Sequence, residues 1–473
     1  MNYPSSDYHS GNHTGRLAPV ALAVLMLVLA GCAPLPARDG PPTLATASAS
    51  DLVPNAAAAS AARAPADYGD AQLSRLVALA LQDSPTMAVA QARVRQADAA
   101  AGETESAASA NLALDADATR EHYPEHSLYP PPIGGSTRTS GHVALDFSYD
   151  FDFWGRNRNA LDAALGRAAA ARADAQAAAA TLATGIAKTY FQWQAADQHL
   201  RIARTLETQR QALVDRQARR VRAGLAPGAD LAPLRADTDA PRQSIVQLET
   251  QRAQAERQLQ ALVGVHALPT IVPMPLPVPD ALPAADARLD LLARRPEIAA
   301  ARDRVQAALK DVDSQRAAFY PDISISALAG FDALQLSSLL HGSNREIAAS
   351  PAVHLPIFDA GRLRAGLDAR RADVALAVAQ YDQALQQAVG EVNDASVRLQ
   401  GAWREAAPLA GQRLGREHDL ASARLREQAG LIDGHERLVD ELVLTALQDQ
   451  EVNLRLQTLL ARIDLDHALG GAD

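Results

Sequence analysis

The chain of 473 residues holds one cysteine, Cys32, so no disulfide within the chain is available to staple it. Lysine is nearly missing: Lys188 and Lys310 are the only two, and arginine supplies the remaining fixed positive charge. Aromatic residues make up 4% of the chain, too few for a large compact core built on rings. The formal net charge is −10, and no interleaved basic and aromatic patch occurs, which argues against nucleic acid as a partner. No Ser or Cys nucleophile motif, Walker loop or paired-glycine phosphate loop is found, so the sequence offers no enzyme chemistry. What is plentiful is alanine, with Leu, Gln, Arg and Glu scattered through it, a composition that favours long helices.

After Arg16, the apolar stretch Leu17 to Ala30 is too short to span a bilayer and reads as a signal-peptide core. It ends in Leu29-Ala30-Gly31-Cys32, which resembles the bacterial lipobox. Residues 1–31 are therefore expected to be a signal peptide, with a covalent lipid on Cys32. Ala33 after the cysteine fits outer-membrane sorting of such lipoproteins. Residues 32–67, rich in Ala, Pro and Ser, read as a tether.

The rest of the chain is written twice. Arg295-Pro296-Glu297-Ile298 with Arg304-Val305 repeats Ser84-Pro85-Thr86-Met87 with Arg93-Val94, and the two prolines lie 211 residues apart. Gly155-Arg156 returns as Gly361-Arg362, and Ala223-Gly224-Leu225 as Ala429-Gly430-Leu431, each at 206 residues. Such a period is far beyond the roughly 20–50 residues of solenoid repeats, so it marks a duplicated half-molecule. The halves are placed at 68–267 and 285–473, with a Pro-rich connector over 268–284 that can only be extended.

Each half has the same internal order. In the first, Val143, Leu145, Phe147, Tyr149, Phe151 and Phe153 alternate with His142, Ala144, Asp146, Ser148, Asp150 and Asp152. Period two sends the aromatics to one face and the acids to the other; a soluble sheet can do this, and a barrel strand between lipid and water must. Leu112 to Ala118, Ile323 to Phe331 and Ile347 to Ile357 alternate less cleanly, so each half offers two strands. Four strands cannot close a barrel, and open edges are untenable in lipid, so if these strands form a barrel other copies of the chain must complete it. Long helices follow, over 155–223 and 361–429, the second carrying Pro408 and the apolar stripe Val374, Val378, Tyr381, Leu385, Val389, Val392, Ser396, Leu399 and Trp403. Shorter helices are expected at 85–110, 229–263, 296–320 and 436–469. Pro85 and Pro296 suit first helical turns, whereas Pro241 interrupts the second segment.

The order of these parts, with Phe151-Asp152-Phe153-Trp154-Gly155-Arg156-Asn157-Arg158, Arg294-Arg295-Pro296-Glu297-Ile298, Ala318-Phe319-Tyr320-Pro321-Asp322 and Leu355-Pro356-Ile357-Phe358-Asp359-Ala360-Gly361-Arg362-Leu363, resembles the TolC-like outer membrane efflux proteins. It is most similar to their lipoprotein (OprM/NodT-type) branch, over about residues 68–470. The resemblance implies a mixed α and β membrane protein. Four strands per chain would enter a shared trimeric twelve-stranded β-barrel, continued by a long α-helical periplasmic barrel. It implies an outer membrane, lipid-anchored exit duct of a tripartite pump, working with a periplasmic adaptor (membrane fusion) protein and an inner-membrane transporter of the resistance-nodulation-division or major-facilitator type. No cofactor beyond the lipid on Cys32, no metal and no catalytic residue are implied.

The same resemblance places Gly224 and Gly430 at periplasmic tips that close the duct. Asp230, Asp433, Glu436 and Asp440 are the candidate acids there, with Arg222, Arg426 and Arg437 as partners. Asp440 follows the second tip glycine at a spacing that departs from the family pattern. Trp154, Gly155, Arg156, Gly361 and Arg362 mark the passage from barrel to helix. The His122-Tyr123-Pro124-Glu125-His126 stretch spells a zinc-peptidase signature, but Pro124 inside it denies the helix that chemistry needs. The competing reading is a periplasmic coiled-coil lipoprotein or pump adaptor; neither accounts for the duplication or for a strand like 142–153.

Overall fold

In a computed structural model, the structure describes residues 40, 42–46, 68–126, 128–278 and 295–470. The segment expected to be a signal peptide, Cys32 and most of the expected tether lie outside the described residues. The elements in chain order are α1 (Ala71–Asp83), α2 (Pro85–Ala107), β1 (Asn111–His122), β2 (Thr137–Phe151), α3 (Arg156–Arg222), α4 (Leu231–Ala236) and α5 (Asp239–Val263). Then come α6 (Pro296–Ala317), β3 (Asp322–Ala333), β4 (Arg345–His354), α7 (Arg362–Gln428) and α8 (Gly434–Ala468). Single 3-10 turns lie at Gly228–Asp230, Leu336–Ser338 and Gly342–Asn344.

The chain divides into two compact units. Among the described residues, one comprises 100–165 and 306–376. Its centre is an antiparallel sheet in the order β1-β2-β3-β4. β2 starts at Thr137, five residues before the alternation becomes clean, and ends at Phe151. β4 ends at His354, so Leu355 and Ile357 fall outside it, against the expectation of a strand reaching Ile357.

The other unit holds the described residues within 44–99, 166–305 and 377–473. Its larger core joins Leu73, Leu76 and Ala80 of α1, Ile186, Tyr190, Phe191 and Trp193 of α3, Leu259 and Val263 of α5, and Leu459 and Ile463 of α8. A second core sets the predicted stripe of α7 (Leu385, Val392, Leu399, with Tyr381, Val389 and Trp403 at its margin) against Ile298 of α6 and Leu465 of α8. Where α3 meets α6, Ala170 and Ala173 pack on Ala300, small side chains that let the helices approach each other. Trp193 and Trp403 both belong to these cores.

α3 and α7 have 67 residues each, about 100 Å of helix at roughly 1.5 Å per residue. Pro408 sits inside α7 without ending it. α1 was not expected. Its apolar positions 73, 76, 77 and 80 follow helical spacing, and Asp70 caps it, accepting from the Gln72 and Leu73 amides. The same carboxylate accepts from the Tyr190 hydroxyl at 2.7 Å. Burial, then this hydrogen bond, pushes the Tyr190 phenol well up from its ordinary value. The single helix expected at 229–263 is instead the 3-10 turn, α4 and α5. The chain breaks at Asp237 and Thr238, and this sets Pro241 in the first turn of α5, where its missing N–H costs nothing. The described part of the connector, 268–278, is extended but not loose. Leu276 is buried in the core, and the Met274 amide donates to Gln194 Oε1 at 2.6 Å.

Candidate functional site

Antiparallel register puts directly opposed residues on one face. Reading across the four strands gives the rows Leu112–Phe147–Ala327–Ala349 and Leu114–Leu145–Ala329–Ile347. Further along lie Tyr149–Ile325–Pro351 and Phe151–Ile323–Val353. All of these are apolar; Arg345, opposite Phe331, interrupts the face near the far end. The other face carries Asp115, Asp117, Asp146, Asp150, Asp332 and Glu346, with His142, Arg138 and His354, among Ser, Thr, Ala and Gly; Leu328 is a large apolar residue on it. The apolar face is bare in one chain: Leu114 is 67% exposed and Ile347 81%. Large contiguous apolar patches of this kind are not left to water. β1 and β4 each have one unpaired edge.

Each strand pair hands over to a long helix by the same device. Asp152 accepts from the amides of Asn157 at 3.2 Å and Arg158 at 2.8 Å, satisfying donors at the start of α3. Asp359 accepts from Gly361 at 3.0 Å and Leu363 at 2.7 Å before α7. Gly155 and Gly361 sit at φ of 78° and 84°, which explains glycine at both turns. Trp154 donates its indole N–H to the Pro321 carbonyl at 2.9 Å and stacks on Tyr320 at 4.7 Å. The Arg156 guanidinium reaches Asp322 at 3.1 Å. The structure thus brings Trp154, Gly155 and Arg156 together with the start of β3, while Gly361 and Arg362 serve the other junction.

In the second unit, α3 and α7 end in matching turns. Gly224 has φ of 70°, and the Leu225 amide donates to the Arg220 carbonyl at 2.8 Å. Gly430 has φ of 71°, and Leu431 donates to Arg426 at 2.9 Å. Both are left-handed helix stops that only glycine adopts at low cost. The leucine after each is exposed, 72% at Leu225 and 74% at Leu431.

The predicted tip charges pair only in part as expected. Arg426 meets Glu436 at 3.0 Å. Arg437 bonds Glu427 at 2.5 Å and Glu441 at 2.7 Å, two acids the sequence had not singled out. Burial opposes the charge on Arg437, but its bonds to Glu441 and Glu427 outweigh burial and hold it protonated. Asp433 caps α8 by accepting from the His435 amide at 2.8 Å, and it lies 3.6 Å from Arg220, not from Arg222. Among the described residues Asp230, Asp440 and Arg222 form no ion pair. A Cβ on Gly434 would stand 2.0 Å from Glu427 Oε1, so a side chain there would have to displace the Glu427 carboxylate.

His122 closes β1, its ring 3.0 Å from the Thr137 hydroxyl, while Glu125 and His126 lie in the turn beyond. The zinc-peptidase reading therefore finds no helix.

Residues 76–265 and 289–471 match the family model described as outer membrane efflux protein. The putative multidrug resistance outer membrane protein MdtQ of Escherichia coli strain K12 is 30% identical over 467 residues, which cover 96% of this chain and 97% of that protein. The outer membrane protein VceC of Vibrio cholerae superposes with a TM-score of 0.74 at 31% identity, over 86% of this chain and 97% of VceC. CusC, whose structures concern folding and transmembrane channel formation, gives a TM-score of 0.78 at 25% identity over 93% and 100% of the two chains. With both halves matched, the chain belongs to the outer membrane efflux protein family.

Proposed function

We propose that this chain is the outer membrane channel of a tripartite efflux pump, a passive duct without catalysis or cofactor. The observation that carries the reading is the sheet: one face apolar and bare, the other acidic, and both edges unpaired. Backbone groups left unpaired in hydrocarbon cost several kcal/mol each, so the edges of β1 and β4 must meet those of neighbouring copies. Three copies supply twelve strands, the homotrimer of the TolC-like plan. Phe151, Phe153 and Trp154 then stand at the barrel-to-helix junction, where an aromatic girdle meets the headgroups.

In this reading Cys32 carries the lipid anchor, and the helical unit meets a periplasmic adaptor protein, itself joined to an inner-membrane transporter. The turns at Gly224 and Gly430, with the charges around them, form the gated end. The cargo is small toxic compounds, as the multidrug resistance name of the MdtQ relatives suggests. Purified protein added to a planar lipid bilayer tests the proposal. Discrete conductance steps from a crosslinkable trimer are expected; a monomer that never inserts overturns it.

A further inference from the structure

On the acidic face of the sheet, strand register gathers three metal-ligand residues from three strands. His142 of β2 faces Asp332 of β3, and its Nδ1 lies 3.7 Å from Asp332 Oδ2. Glu346 of β4 faces Gly330, and next across the row is Ala144. Gly330 runs so near β2 that a Cβ on it would meet the Ala144 methyl at 2.6 Å. That floor of glycine and alanine has no bulk to block the Glu346 carboxylate from the His142–Asp332 pair. One donor atom from each of the three lies within 4.8 Å of the other two. We propose that His142, Asp332 and Glu346 hold a divalent cation of borderline softness: Zn²⁺, Co²⁺ or Ni²⁺.

Three arguments select that class. Ligand bonds of about 2.0–2.2 Å to nitrogen and oxygen place neighbouring donors roughly 3.4 Å apart in a tetrahedral site. The closing-in this requires is small beside the reach of His142, Asp332 and Glu346, which are half-buried or exposed and free to turn. With the imidazole neutral, the ligands carry two negative charges that the paired strands hold together, and a dication relieves that repulsion. Asp117 of β1, at the register position on the other side of His142, is a second carboxylate in the His142–Asp332 row, and Glu346 stands in the row beside it. An imidazole donor disfavours Mg²⁺ and Ca²⁺, which take oxygen ligands, and soft monovalent ions prefer sulfur, which this cluster lacks.

The inference goes beyond the duct reading and needs only the sheet of one chain, so it fails or stands apart from channel activity. The test uses the full chain, without a polyhistidine tag, in detergent. Zn²⁺ binding is followed by calorimetry and Co²⁺ by visible absorption. We expect one site per chain. His142→Gln and Asp332→Asn each weaken it by more than the roughly 10- to 100-fold that outer-shell partners cost. Asp150→Asn, on the same face outside the cluster, leaves affinity unchanged, and about tenfold Mg²⁺ does not displace the ion. Glu346→Gln on the last strand gives a second measure should either central variant fail to fold, and circular dichroism reports the sheet. No uptake by the unmodified chain, equal affinity in all variants, or ready displacement by Mg²⁺ overturns the proposal.

Discussion

A single charge moved from one face of β2 to the other separates a lipid-facing sheet from a soluble one. Leu145 lies in the row Leu114–Leu145–Ala329–Ile347 and is half exposed. It stands six residues from Phe151 at the helix end of the strand, about 20 Å at roughly 3.4 Å per residue. A strand tilt of about 40° reduces that to about 15 Å of depth, near the middle of an apolar band about 25 Å tall. Arginine at the midplane of such a barrel costs about 2–4 kcal/mol. Leu145→Arg is therefore expected to lower the folding equilibrium of each chain by roughly 30- to 900-fold, and three copies repeat the charge at one depth. Ser148→Arg, on the same strand but the opposite face, should be nearly silent. Urea titration of the assembled species, read as an oligomer band on a cold gel, measures both. If the two substitutions shift the midpoint alike, the face assignment is wrong and the sheet does not meet lipid.

Three further outcomes follow from named contacts. Arg437→Gln strips Glu427 and Glu441 of their shared partner and should raise the conductance or open probability of the bilayer-inserted channel; an unchanged pore counts against the gate. Gly264 holds φ of 81° after α5, and a Cβ there would stand 2.7 Å from Pro85 Cδ, so Gly264→Ala should cost about 1–3 kcal/mol in thermal or urea unfolding. His467 is held below its ordinary value of 6.5, first by burial and then by Arg295, against the opposing pull of Glu297 and Glu391 and with a smaller push from Lys188. The unfolded chain thus takes up a proton before the folded one does: stability is full above about pH 6.5 and falls as pH drops below it. His467→Gln should flatten that decline in melting temperature; an unaltered slope refutes the assignment.

The sequence carried the parity of every strand, because a face buried in lipid demands strict alternation over Leu112, Phe147 and their neighbours. It carried both helix stops, because Gly224 and Gly430 occupy a conformation few other residues adopt. α1 was legible too, in Asp70 and the spacing of Leu73, Leu76 and Ala80, but it lies ahead of Pro85, where the repeated text begins. The register between strands was not legible. His142, Asp332 and Glu346 are up to 204 residues apart in the chain, and only the pairing of three strands makes them neighbours. Ion-pair partners at the tips share that limitation. Arg437 meets Glu427 across a helix turn whose geometry, not whose spacing, decides between Glu427 and Glu436.

The two halves keep one device and differ in another. At the strand-to-helix passage, Asp152 with Gly155 and Asp359 with Gly361 do the same work, although the second is a residue shorter and compensates with Ala360 at φ of 54°. At the tips the halves part. After Gly224 the chain passes through a 3-10 turn, the short α4 and a break before α5, and neither Arg222 nor Asp230 enters an ion pair among the described residues. After Gly430 it enters α8 at once, on the Asp433 cap, with Arg424, Arg426 and Arg437 engaged by Glu427, Glu436 and Glu441. Arg220 reaches from α3 to Asp433 and links the two ends. In the proposed channel, displacing the second tip therefore breaks several charge pairs, whereas the link between the two helix ends is the single Arg220–Asp433 pair.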